Sequence, residues 1–120
     1  MTNWANPIFL IPFITGPVFI VAGIVMLKFP PKEINGFYGY RTKRSMKSQQ
    51  SWEFAQRFSS IRMMYSGMIL IISSGIGLFV QTSEGLSIVM GLFLVIIAAA
   101  IPIAITEMEL KSRFKTRNGH

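Results

Sequence analysis

The sequence contains no cysteine and no aspartate, and its one histidine is His120. The first absence excludes disulfides and thiol chemistry. The other two remove most metal-ligand sets and the usual nucleophile–histidine–aspartate arrangements. Charge is scarce and one-sided: five glutamates stand against twelve lysines and arginines, for a formal net charge of +7. With 51% apolar residues and a mean hydropathy of +0.47, a water-soluble globule of 120 residues would be unusual. The composition becomes consistent once the charges are seen to be segregated from the apolar residues.

Residues 8–27, 63–80 and 86–105 carry no charge at all. As helices, each run spans roughly 27–30 Å, the thickness of a bilayer's hydrocarbon core. The expected fold is an all-α integral membrane domain, residues 1–120, with three transmembrane helices. The first run is a poor signal peptide, because no lysine or arginine precedes it and Phe29-Pro30-Pro31 is not a small-residue cleavage site. It is expected to remain as a span. No internal repeat is visible, so a transporter of the inverted-repeat kind would require two copies.

Local signals place the elements. Asn6-Pro7 suits a helix start, since Asn caps and Pro is welcome at the first helical position. Trp4 is expected at the headgroup level. Pro12 and Pro17 predict a bend in span one, and Pro102 one near the end of span three. Residues 29–47 read as a loop punctuated by Gly, Pro and Asn, and Ser48 as the cap of the next helix. Phe54, Phe58, Ile61 and Tyr65 then form one apolar stripe, with Glu53, Gln56, Arg57 and Ser60 on the other side. Glu53 and Arg57 are spaced for an i,i+4 pair. This amphipathic entry leads into span two as one long helix or with an elbow near Arg62. Residues 81–85 form a short turn, making spans two and three a hairpin. The tail 106–120 is polar and expected to fray into 115–120, Lys-Thr-Arg-Asn-Gly-His.

Orientation follows from the cations. Lys28, Lys32, Arg41, Lys43, Arg44, Lys47, Arg57 and Arg62 lie in 28–62, and Lys111, Arg113, Lys115 and Arg117 in the tail. The N-terminal arm and the 81–85 turn have none. Basic flanks stay in the cytoplasm, so the expected topology is N-out/C-in, in the bacterial plasma membrane. The basic excess therefore points to anionic lipid rather than nucleic acid.

The most informative stretch is 34–58, with Asn35, Gly39-Tyr40-Arg41-Thr42, Ser45-Met46-Lys47 and Trp52 ahead of a helix entering the membrane. In these residues, and in the flanking hydropathy, the chain resembles the SdpI family of small bacterial membrane proteins. Lys43 departs from the pattern, where many relatives would carry Pro. The resemblance implies a non-enzymatic protein concerned with immunity to a membrane-active peptide toxin, with a cytoplasmic regulator as a further partner. It also implies that Asn35, Gly39, Tyr40, Arg41, Thr42, Ser45, Met46, Lys47 and Trp52 form a ligand- or partner-binding site.

The residues themselves leave alternatives open. Arg41 is a five-donor fork suited to phosphate or carboxylate, or it caps carbonyls of its own loop. Trp52 reads as an interfacial anchor rather than a ligand platform. Gly16 and Gly23, Ser73 and Gly77, and Ser87, Gly91 and Ala98 read as close-packing faces rather than an ion lining. Glu107 and Glu109, two apart, face different sides of a helix and are read as offsetting the basic tail. No active site, metal site or cofactor is expected. Three functions stay in view: peptide immunity, a small oligomeric transporter or channel, and a lipid-headgroup-binding protein.

Overall fold

The computed structural model describes residues 5–114 as three helices: α1, Pro7–Lys28; α2, Gln49–Gly77; and α3, Glu84–Arg113. All three are long and apolar enough to cross a membrane. Trp4 and residues 115–120, including Lys115, Arg117 and His120, lie outside the described residues.

Helix α1 begins where Asn6 caps it, its Oδ1 accepting from Ile8 N at 3.0 Å with Pro7 in the first turn. The helix runs unbroken through Pro12 and Pro17. Helix α2 opens with a capping box, Ser48 and Ser51 exchanging side-chain-to-backbone bonds at 3.0 and 3.1 Å. It is one continuous helix, with no break near Arg62. It ends at Gly77, so residues 78–80 belong to the turn rather than the span. Helix α3 is capped by Ser83 and carries Glu84 in its first turn and Lys111 and Arg113 in its last, each sign favourable to the helix dipole. It continues to Arg113, eight residues past the expected end of the span. Residues 106–113 are thus helix, and the fraying expected at 115–120 lies outside the described residues.

Helices α1 and α2 pack antiparallel along a seam of small residues. A Cβ built on Gly67 would stand 2.5 Å from Gly16 O, and one on Gly16 2.7 Å from Gly67 O. One on Gly23 would meet Ser60 O at 2.7 Å, and one on Gly77 the Ile8 backbone at 2.6 Å. Lipid tails are as apolar as leucine, so close backbone approach and dispersion, not hydrophobic transfer, hold such helices together. Helix α3 lies parallel to α1, with Gly91 against Pro7 O. Its Ser87, Gly91 and Ala98 are all buried.

The expected polar side of 49–61 is split, Gln56 and Ser60 being buried while Glu53 and Arg57 are exposed. Trp52, Ala55, Gln56, Ser59 and Ser60 are buried, while Phe54, Phe58 and Ile61 are half-buried and Tyr65 is exposed. Where the surroundings are lipid, large apolar side chains lose nothing by facing out, and small or hydrogen-bonded residues take the helix contacts. Phe54 instead stacks on Phe58 and meets Phe114, with Arg113 4.8 Å from its ring and Arg62 4.9 Å from the Phe58 ring. The expected Glu53–Arg57 ion pair is not formed; Glu53 accepts from Gln49 Nε2 at 2.9 Å.

Candidate functional site: the clasped loop

The segment 29–48 joins α1 to α2 without regular structure, yet it is held at several points. Asn35 starts it with an Asx turn, its Oδ1 accepting from Phe37 N at 2.9 Å and Tyr38 N at 2.8 Å. Tyr38 OH donates to Phe29 O at 2.8 Å, covering a carbonyl at the end of α1. Arg41 Nη1 donates to Gly36 O at 2.7 Å, so this guanidinium caps a carbonyl of its own loop while remaining exposed.

Gly39 is the conformational pivot. Its φ of +107° is a geometry L-residues resist, and a Cβ there would meet Gln56 Oε1 at 2.5 Å and Pro31 Cγ at 2.6 Å. That closeness lets the buried Gln56 amide grip the next residue's backbone. Its Oε1 accepts from Tyr40 N at 2.6 Å, and its Nε2 donates to Tyr40 O at 2.8 Å. One side chain thereby replaces a strand partner for Tyr40. Thr42 and Ser45 exchange bonds, and Ser45, fully buried, also donates toward Tyr40 O at 3.1 Å. Ser51 then donates to Ser45 O at 3.1 Å, tying this turn to the α2 cap.

Trp52 is not an interfacial anchor. It is fully buried, and its Nε1 donates to Pro31 O at 2.6 Å. The indole fills the space between α2 and the returning chain, and a buried N–H requires such an acceptor.

The third attachment is to α3. Glu107 Oε2 accepts from Tyr40 OH at 2.6 Å and from Thr42 Oγ1 at 2.7 Å, and Arg44 Nη1 stands 3.5 Å from Oε1. Burial and the Glu107 hydrogen bond both push the Tyr40 phenol well above its usual range, so Tyr40 stays a donor. A carboxylate with two hydroxyl donors and a guanidinium acts as a clasp between helix and loop. Glu109, in contrast, pairs with Arg113 on the exposed side at 3.0 Å.

Of the nine candidate residues, Asn35, Gly39, Tyr40, Arg41, Thr42, Ser45 and Trp52 are brought together in one folded unit. Met46 and Lys47 are exposed on its outside, beside exposed Lys43. Pro31, Gln56 and Glu107 belong to the unit and were missed. Gln56 was readable as a polar residue in register with Trp52, Ser59 and Ser60. Glu107 was readable as a carboxylate ending an apolar span at the same end as the basic loop. Among the described residues no cluster of potential ligands could hold a metal ion.

The model of the SdpI/YfhL protein family matches residues 32–106, which include the loop from Lys32 onward, α2, and α3 as far as Thr106. An uncharacterized protein named YfhL from Bacillus subtilis (strain 168) is 38% identical over 104 residues, covering 87% of this chain and 89% of that protein. No solved structure matches the chain.

Proposed function

This chain belongs to the SdpI/YfhL protein family, and on that premise we propose that it is a non-enzymatic, multi-pass protein of the bacterial plasma membrane that protects the cell from a membrane-active peptide. The observation that carries this reading is the folding of the motif segment. The family-like residues build a unit that touches the end of α1, the buried face of α2 and Glu107 of α3. A topology signal needs only positive charge; it does not need a Gly at φ +107° or a glutamine holding both polar atoms of one peptide residue. A unit fastened to all three helices is placed to respond when a peptide displaces α3 from the α1–α2 pair, and to relay that change to a regulator through Lys43, Met46 and Lys47.

In this proposal the loop end faces the cytoplasm and the 78–83 turn faces outward. The chain's lack of cysteine makes single-Cys labelling a clean check. Protection of Lys43→Cys and external labelling of Ser83→Cys is expected, and the reverse pattern overturns the orientation.

The functional test is gene deletion followed by challenge with a panel of membrane-active peptides. At least one peptide should discriminate the deletion strain from its parent. The wild-type gene should restore resistance, and a Tyr40→Phe/Thr42→Ala variant that still inserts should not. Equal survival against every peptide, or sensitivity that follows solute flux instead of peptide identity, removes the protective reading. The second of these outcomes favours an oligomeric transporter or channel.

A further inference from the structure

A cavity of about 360 Å³ opens beside the clasped loop, between the end of α1, the chain at 30–32 and the first turns of α2. Its floor is buried Met26, Pro31 and Gln56; its mouth is exposed Lys32, Glu53 and Arg57, with Leu27 and Pro30 alongside. We infer that this is a binding site for one glycerophospholipid of the leaflet at the loop end. The phosphodiester would lie between Lys32 and Arg57, and the glycerol with the first methylenes against Met26, Leu27 and Pro30.

Four observations support this. The cavity sits where α1 ends, at Lys28, which is the depth at which hydrocarbon gives way to headgroups. Its lining holds both apolar side chains (Met26, Leu27, Pro30 and Pro31) and two cations (Lys32 and Arg57), the two chemistries that a lipid's chain and head require. Among the described residues neither Lys32 nor Arg57 has a carboxylate within ion-pair distance. The nearby Glu53 is engaged by Gln49 Nε2, which also bonds Lys32 O, so the carboxylate is directed along the rim. The site is also preformed: the Trp52 bond fixes Pro31, and the Tyr40 backbone fixes Gln56. An arginine and a lysine lining one cavity, neither ion-paired among the described residues, suit a phosphodiester. The cavity is at the small end of ligand sites, so it takes a headgroup and the start of the chains, and the rest of the lipid continues into the bilayer. This site is separate from Glu107 and does not depend on the protective role.

The test uses Trp52, which stands directly behind the cavity wall, as the reporter in a Trp4→Phe background. The detergent-solubilised full chain is titrated with short-chain phosphatidylglycerol, glycerol 3-phosphate and short-chain diacylglycerol. Saturable binding of phosphatidylglycerol is expected, with neither of the other two binding at the same concentrations. The Lys32→Gln/Arg57→Gln variant should bind about thirtyfold more weakly, taking roughly 1 kcal/mol for each basic residue near anionic lipid. Lys43→Gln/Lys47→Gln, an equal charge change away from the cavity, should stay within about threefold of wild type. Should the double variant unfold, the two single variants carry the same comparison, each expected at about fivefold. Unchanged binding in the cavity variants, an equal loss in the control pair, or equal binding of glycerol 3-phosphate overturns the site. Short-chain phosphatidylethanolamine forms the last arm. Binding at comparable strength supports recognition of the shared phosphodiester, whereas complete indifference to it shows that net anionic charge alone is read and overturns the phosphodiester assignment.

Discussion

Helix α2 meets its two neighbours by different means. Against α1 it presents Gly67, Gly77 and Ser60, and the two backbones touch at three levels from the turn end to the loop end. Against α3 its aromatic contacts lie at the loop end, where Phe54 meets Phe114 and Arg113. At the turn end a cavity of about 440 Å³, lined by Ile8, Ser73, Ile76, Val80, Val89, Met90, Phe93 and Leu94, lies among the three helices. At the loop end α3 is fastened by Glu107, Phe114 and Arg113 to groups on the loop and α2. The α1–α2 pair is close-packed at three levels, whereas α3 combines a close approach to α1 at Gly91 with polar and aromatic contacts at the loop end. Asn6 reinforces the pair, its Nδ2 donating to Gly77 O at 3.0 Å and Val80 O at 2.7 Å while its Oδ1 caps α1.

The largest effect should come from filling the seam. Gly67→Leu places side-chain atoms where Gly16 O and Phe19 already stand, and a backbone atom cannot yield as a side chain can. A loss of about 3 kcal/mol or more is expected, with little folded protein recovered in mild detergent. Gly75→Ala supplies the contrast, because nothing lies within 4 Å of its added Cβ. It should be neutral or stabilising by up to about 1 kcal/mol. Thermal unfolding of the two variants side by side measures the seam; equal tolerance would mean that α1 and α2 do not approach this closely.

Next in size is the clasp. Glu107→Ala leaves two hydroxyls and Arg44 without their acceptor, and hydrogen bonds to a charged group are worth about 1.5–3 kcal/mol each before relaxation and solvent replace part of that. The loss should be local. Backbone amides of 36–46 should exchange faster with deuterium, while the α1–α2 pair keeps its protection. Glu109→Ala, which breaks only the exposed pair with Arg113, should change little. Uniform loss of protection across all three helices would erase the distinction between a firm pair and a releasable third helix.

The seam was legible in part and the clasp was not. Gly16, Gly23 and Gly77 stand among small residues at helical spacing within charge-free runs, and such residues have one ordinary use in a membrane; Gly67 and Ser60, which meet Gly16 and Gly23, did not stand out as packing positions. Asn6, Pro7 and Ser48 are local signals, read correctly because a cap depends only on its own next turn. The contacts of Glu107 depend on bringing residue 107 beside residues 40–44, and no spacing rule reaches across 65 positions. The faces of α2 were legible only in part: 49–61 reads as one apolar and one polar side, yet Gln56 and Ser60 of the polar side are buried while Phe54 and Phe58 are half-buried. Contact with the returning loop, which no local pattern announces, decides the burial of Trp52 and Gln56.

Trp52 offers an effect of intermediate size. Trp52→Phe keeps most of the buried ring but leaves Pro31 O without the indole N–H, for a cost of about 1–3 kcal/mol. In a Trp4→Phe background, Trp52 fluorescence should resist both aqueous iodide and shallow lipid-borne quenchers, because the residue is fully buried. Strong quenching by either agent would place the indole outside the loop–α2 junction and detach the loop from the firm half of the molecule.

The smallest expected effect separates the loop's inner fastenings from its outer charges. Arg41 makes one bond, from Nη1 to Gly36 O at 2.7 Å, and is otherwise exposed. A lysine there keeps the positive charge but does not reproduce the planar reach of the guanidinium. Arg41→Lys should therefore cost up to about 1 kcal/mol, expressed as faster amide exchange near Gly36, with no change in α1 or α2. Lys43→Arg, at an exposed position with no hydrogen-bond role, should have no measurable effect on stability or exchange. The comparison remains informative if both substitutions lower resistance to a peptide without altering exchange. Arg41 and Lys43 would then act on a partner as exposed cations, and the order of the loop would come from Gln56, Trp52 and Glu107 alone. If Arg41→Lys instead unfolds the loop as thoroughly as Glu107→Ala, the Gly36 carbonyl cap is a fastening of the same rank as the clasp. The loop would then need the Gly36 cap as much as it needs Glu107, and displacement of α3 would be only one of two events able to release it.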